Sequence, residues 1–161
     1  MLTLDELDEG EAEAFVAASA ASFINDLVES GVEVDAATAA TGALMQALLP
    51  EGVRTEGHQF RSIDQAGRRL GRLWFGPVHD SPGDWFLFEI EIDESERGHG
   101  AGRAALKAVI GELTEGAVDR FGLNVFESNT AAIALYRSLG FVEGRTSASG
   151  HEMWLTIPTL E

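Results

Sequence analysis

The sequence predicts an α/β fold in which a mixed β-sheet carries helices on both faces. Two observations lead there. The apolar spacing alternates along the chain between a period near 3.6 and a period of 2, and turn-forming residues separate the segments. Read in order, the segments are strand, two helices, three strands, helix, strand, helix and two strands. With 161 residues and 45% hydrophobic content, the chain can bury a proper core as one domain spanning 1–161.

Residues 2–4 open the chain as a short strand. From about 11 to 29, Val16, Ala20, Phe23, Ile24, Leu27 and Val28 recur at helical spacing, and Gly31 lies just past the end. Asp35 is the expected N-cap of a second helix over roughly 36–49, closed by Pro50. Its run "AATAATGALMQALL" has no charge, which suits packing on a sheet or, alternatively, on a partner. "HQFRSID" and "RRLGRLWFG" then alternate as strands around the hairpin turn "QAG". "SPGD" turns the chain into a strand at 85–92, and a helix follows at about 100–115. A strand at 120–126, a helix at about 129–139 and strands near 141–146 and 151–157 around "SASG" complete the order.

Composition narrows the chemistry. There are no cysteines, so disulfides, thiolate metal sites and a cysteine nucleophile are excluded. His58, His79 and His151 are too scattered to suggest a metal site, and no metal is expected. Trp74, Trp85 and Trp154 are expected to fill the core or line a cleft. The acidic N-terminus lacks the build of a signal peptide, and no apolar run reaches the roughly 18 residues of a membrane span, so a cytoplasmic protein is expected. Twenty-seven acidic residues against eleven basic ones give a formal charge of −16, and no Lys or Arg precedes Arg54. That balance argues against nucleic acid as a partner. It fits an acidic, solubilising surface or the attraction of a cationic substrate such as an amine.

The stretch "RGHGAGR", residues 97–103, lies where a strand pattern gives way to a helical one. A glycine loop there offers free amides and the positive end of a helix dipole to an anion. It is not a P-loop, which requires Gly-x4-Gly-Lys-Ser/Thr. Nor is it the dinucleotide fingerprint, which from Gly98 would require glycine where Arg103 stands. It does satisfy Arg/Gln-x-x-Gly-x-Gly/Ala through Arg97, Gly100 and Gly102. Downstream, "LNVFESNTAAIALYRSLGF" spans residues 123–141. With these two segments in this order, the chain resembles the GCN5-related N-acetyltransferases, the GNAT superfamily. The likeness covers residues 85–141, about a third of the chain, and points to an uncharacterised bacterial subfamily.

The resemblance implies a mostly antiparallel sheet with two parallel strands, 85–92 and 120–126, splayed apart to admit acetyl-CoA. The backbone of Ile90, Glu91 and Ile92 would pair with the pantetheine arm as an added strand does. The amides of Arg97, Gly98, His99, Gly100, Ala101, Gly102 and Arg103 would wrap the pyrophosphate. Glycine suits 98, 100 and 102 because a Cβ would hold the backbone away from the phosphate, and Arg97 and Arg103 would add charge. Asn129 would cap its helix and bond the pantetheine arm. Tyr136, the chain's only tyrosine and two helical turns on from Asn129, would protonate the departing thiolate.

The base is open between two residues. The ribosomal-protein branch of the family carries a glutamate where Asn124 stands, so that role does not transfer. Glu89 and Glu91 remain, and strand alternation places both on the face opposite Phe88, Ile90 and Ile92. The expected activity is direct acetyl transfer to the primary amine of a small molecule or peptide. The alternatives are acetylation of protein N-termini or lysines, and a non-catalytic acyl-CoA sensor or interaction module that uses the acidic helices at 11–49 as its surface. A homodimer is compatible with the family.

Overall fold

The computed structural model describes residues 1–147 and 150–158. Its element order is β1 (Leu2–Glu6), α1 (Glu9–Glu29), α2 (Val34–Leu48), β2 (Gln59–Gln65), β3 (Arg68–Pro77), β4 (Asp84–Ile92), α3 (Ala101–Thr114), β5 (Arg120–Val125), α4 (Thr130–Ser138), β6 (Val142–Ser147) and β7 (Gly150–Thr156). This is the order read from the sequence, with β1 extended to Glu6. Ala148 and Ser149 of the expected "SASG" turn lie outside the described residues.

Local chemistry sets most boundaries. Asp8 caps α1 by accepting from the Glu11 amide at 2.8 Å. Beyond its end Gly31 takes a positive φ of 107°. The cap of α2 is Glu33 rather than Asp35: the Glu33 carboxylate accepts from the Ala36 amide, and Asp35 lies inside the first turn. Asp35 still sits well there, because an acidic side chain near a helix N-terminus is favoured by the dipole. The β2–β3 turn carries Ala66 and Gly67 at φ of 54° and 77°, the conformation of a tight hairpin.

The seven strands run in the order β1-β2-β3-β4-β5-β7-β6. Every neighbouring pair is antiparallel except β4 and β5, which are parallel. On one face, α3 and α4 bury Ala105, Leu106, Val109, Ile133 and Tyr136 against Leu73, Phe75, Leu87, Phe121, Leu123 and Met153. On the other, Phe15 of α1 packs with Phe60 and Trp74 and with the partly buried Met45, Leu48 and Phe88. α2 therefore contributes to a helical layer shared with α1. Trp74 is core, while Trp85 and Trp154 are half-buried. No helix among the described residues is long and apolar enough to cross a membrane.

β4 is irregular on both of its edges. Its parallel pairing with β5 runs only from Asp84–Arg120 to Leu87–Leu123. Beyond Leu87 the two strands part. In the pairing with β3, Trp74 faces Glu89 while Phe75 faces Leu87, so Phe88 is an extra residue in a β-bulge. The bulge overturns one expectation. Phe88 lies on the same face as Glu89, its ring tilted against Trp74 with centroids 4.8 Å apart, because the extra residue resets the alternation. Ile90 and Ile92 do face the opposite layer, as expected.

Candidate active site

The parting of β4 and β5 opens a cleft of about 540 Å³. Its walls include Glu89, Ile90, Glu91 and Ile92 of β4, Arg97 and Gly102 of the glycine loop, and Asn129 and Tyr136 of α4. Eight of the residues singled out in the sequence thus meet at one place. A continuous sheet would keep Glu89, which faces α1, apart from Tyr136, which packs with the opposite layer. The gap brings them within electrostatic range of each other.

The other singled-out residues lie differently. His99, Gly100 and Ala101 line a second hollow of about 440 Å³ on the β1–β2 side, with Arg68 and Glu96. Arg97 donates through Nε to the Ile92 carbonyl at 2.9 Å. Arg103 turns to Ser138 at the end of α4. Asn124 sits on β5 opposite Glu152 of β7.

The glycine loop has the build of an anion cradle. Gly98 and Gly100 hold φ of 80° and 81°, a region that a Cβ strongly disfavours, and open space surrounds both. Gly102 needs no such freedom: it lies in the first turn of α3, where a Cβ would meet Leu135 and Ile92 at ordinary contact distance. Among the described residues, the amides of 98–103 donate to no protein acceptor. A row of free N–H groups in a loop that enters a helix is what a pyrophosphate requires. The residues present therefore fit coenzyme A.

Asn129 caps α4 through Oδ1, which accepts from the Ala132 amide at 3.2 Å, leaving its NH₂ group to the cleft. Seven residues on, Tyr136 is buried against Phe141. Burial, reinforced by the charge of Glu89, pushes its phenol up to about 12, so it keeps its proton at any working pH.

The two glutamates have separated. Glu91 pairs with Arg72 at 2.5 Å across the β3–β4 ladder. Glu89 has no basic partner among the described residues; its carboxylate accepts one full hydrogen bond, from the Ile90 amide at 3.1 Å. Burial raises Glu89 to about 7; the Ile90 N–H and, weakly, the nearby Ser19 hydroxyl oppose the rise, and Glu91 and Asp26 add to it. A carboxyl poised near neutrality in a cleft is suited to take a proton.

Sequence reasoning missed the contribution of α1. Ala18, Ser19 and Ser22 close the cleft on the side of Glu89. Further along the same helix, Asp26, Glu29 and Ser30 line a larger hollow of about 760 Å³ with Phe126, Glu127 and Ser128. Asn129 lies in the walls of both cavities. Burial and the neighbouring Glu29 raise the Asp26 carboxyl above its ordinary value. The sequence signal was two serines three residues apart on an alanine-rich helix.

The model of the Acetyltransferase (GNAT) family matches residues 33–141. The chain belongs to that family. An uncharacterized N-acetyltransferase of Bacillus subtilis, YdgE, is 29% identical over 143 residues, covering 86% of this chain and 90% of that protein. The [ribosomal protein bS18]-alanine N-acetyltransferase of Escherichia coli is 49% identical over 57 residues, 35% of this chain and 38% of that one. Among solved structures, the putative acetyltransferase YycN of B. subtilis superposes with a TM-score of 0.81 at 23% identity, over 91% of this chain and 96% of that one. A spermidine N-acetyltransferase from Vibrio cholerae, solved with CoA and spermine, shares the fold with a TM-score of 0.67 at 16% identity, over 97% of this chain and 95% of that one.

Proposed function

We propose that this protein transfers the acetyl group of acetyl-CoA to a primary amine, within one catalytic domain and without a covalent enzyme intermediate. The observation that carries the reading is the single cleft in which β4, the glycine loop and α4 converge. Acetyl-CoA supplies an activated thioester; the protein supplies positioning and proton handling. The amides of 98–103 hold the pyrophosphate, and Asn129 and the released edge of β4 hold the pantetheine arm.

Glu89 is the base. An amine arrives as an ammonium ion, and Glu89, ionised in about half the molecules near neutrality, accepts its proton. Glu91 is committed to Arg72 and acts on Glu89 through its charge. As the new C–N bond forms and the C–S bond breaks, Tyr136 donates a hydrogen bond to the sulfur. An ordinary thiol near 8.5 would not draw the proton off a phenol at about 12. The same burial raises the thiol, so transfer becomes feasible only inside the cleft. Tyr136 recovers its proton as the acylated nitrogen sheds its second N–H, so the products are an N-acetyl amide and the free thiol, and the first proton, taken by Glu89, passes to solvent.

Titration calorimetry with acetyl-CoA tests the reading. Wild type should bind, and Gly98→Glu, which forces a carboxylate into the cradle, should not. Tyr136→Phe should lower kcat far more than it raises KM for acetyl-CoA. Absence of binding by the wild type would overturn the reading. A peptide N-terminus is the second candidate acceptor, favoured by the local likeness to the bS18 enzyme.

A further inference from the structure

Ser19, Ser22 and Asp26 recur at i, i+3 and i+7, and so share one face of α1. Ser19 and Ser22 reach the cleft beside Glu89, whereas Asp26 reaches the acidic hollow that adjoins it at Asn129. The face therefore leads from the candidate reacting centre to the second hollow.

Two independent observations ask for a ligand along it. The first is Ser19 itself. It is only 6% exposed, and its hydroxyl, though near enough to Glu89 to act weakly on it, completes no hydrogen bond. A buried hydroxyl is rarely left unpaired, because it has given up water for nothing in return. The second is the hollow, whose carboxylates Asp26, Glu29 and Glu127 have no arginine or lysine in the walls and no ion-pair partner among the described residues. Elsewhere the chain pairs its acids readily: Glu9, Glu11, Asp84 and Glu143 each hold an arginine.

The distance between the two ends constrains the ligand further. Seven residues of helix separate Ser19 from Asp26 by on the order of 10 Å. In the wall of the hollow the ring of Phe126 lies against Phe23 of α1, centroids 6.2 Å apart, a surface suited to methylene groups.

We propose that the acceptor is a linear di- or polyamine, with the reacting amino group beside Ser19 and Glu89 and a second ammonium held by Asp26, Glu29 and Glu127. The proposal rests on the acetyl-transfer reading and names its substrate class. Amino acids fit poorly, since their carboxylate would meet three uncompensated acids. A simple monoamine leaves the hollow's charge unanswered.

The experiment is thiol release from acetyl-CoA with α,ω-diamines from the propane to the decane homologue, each set against the monoamine of equal length. The longer diamines should exceed their monoamines in kcat/KM by roughly tenfold, an advantage that shrinks as salt rises. Asp26→Asn and Glu29→Gln should each cut the diamine-to-monoamine ratio by roughly fivefold. Glu115→Gln, which removes an equal charge at the far end of α3, should leave that ratio unchanged. Equal kcat/KM for diamines and monoamines would overturn the proposal, as would a ratio untouched by Asp26→Asn. Preference for a peptide N-terminus over every diamine would also overturn it while preserving acetyl transfer. Binding of acetyl-CoA with no release on any amine would overturn the acetyl-transfer reading as well.

Discussion

β4 is two strands in one. From Asp84 to Leu87 it pairs with β3 on one side and β5 on the other, and its side chains belong to the frame. Leu87 is core, and Asp84 is buried in an ion pair with Arg120 at 2.6 Å. From Phe88 to Ile92 only β3 pairs with it, every side chain is half-buried, and Glu89 to Ile92 line an open cleft. Composition alone does not separate the halves, since each carries aromatic, aliphatic and acidic residues. Whether a neighbouring strand claims the second edge decides what the same alternation becomes. The bulge at Phe88 marks the changeover, and it aims Glu89 toward α1.

The largest expected effect breaks the second half alone. Glu89→Gln should lower kcat/KM by roughly a hundredfold or more, the usual worth of a positioned base. Wild-type kcat/KM should rise about tenfold per pH unit up to about 7 and then level off, as Glu89 ionises. The variant's profile should lose that limb. An unchanged limb would assign the base elsewhere.

Leu87→Ala, two residues earlier, breaks the first half. It should cost about 2–5 kcal/mol of stability, because Leu87 is buried among core side chains of the α3–α4 layer. Chemical denaturation measures the loss. Kinetic constants measured well below the unfolding midpoint should move far less than in Glu89→Gln.

A third outcome sharpens the contrast through its sign. The folded state raises Glu89 from 4.5 to about 7, so it binds that proton more tightly than the unfolded chain does. The resulting stability is present below about pH 4.5 and is lost as pH rises through about 7, a change of up to roughly 3 kcal/mol. Glutamine imitates the protonated acid at every pH. Glu89→Gln should therefore melt above wild type by a margin that opens between about pH 5 and pH 8. A gap that is constant with pH would show that Glu89 is not raised in the fold.

The order of elements was legible because turns and helix ends are local events. Gly31, the Ala66–Gly67 turn and the Asn129 cap each act within a few residues. The glycine loop and the Asn129–Tyr136 spacing were legible for the same reason. The bulge was not, since "WFLFEIEI" alternates without interruption and only the register against Trp74 and Phe75 reveals the extra residue. Nor could the sequence choose between Glu89 and Glu91, because the choice depends on Arg72, nineteen positions away and on another strand. The serines of α1 were invisible as site residues until the helix docked over the gap.

The smallest expected effect concerns Asn129, where frame and site share one side chain. Its Oδ1 caps α4, and its NH₂ group faces the cleft. Asn129→Ala should cost about 1 kcal/mol through the lost cap and should also weaken acetyl-CoA binding. That variant alone cannot divide the two roles, because a loosened α4 would also displace Tyr136. Asn129→Asp divides them. Aspartate caps as well as asparagine, so the denaturation midpoint should return to that of wild type. It has no N–H to donate, and it adds charge beside Asp26 and Glu127, so affinity for acetyl-CoA should stay low in calorimetry. If aspartate restores affinity along with stability, Asn129 holds the helix and nothing else. If it restores stability alone, the residue belongs to both halves of the molecule.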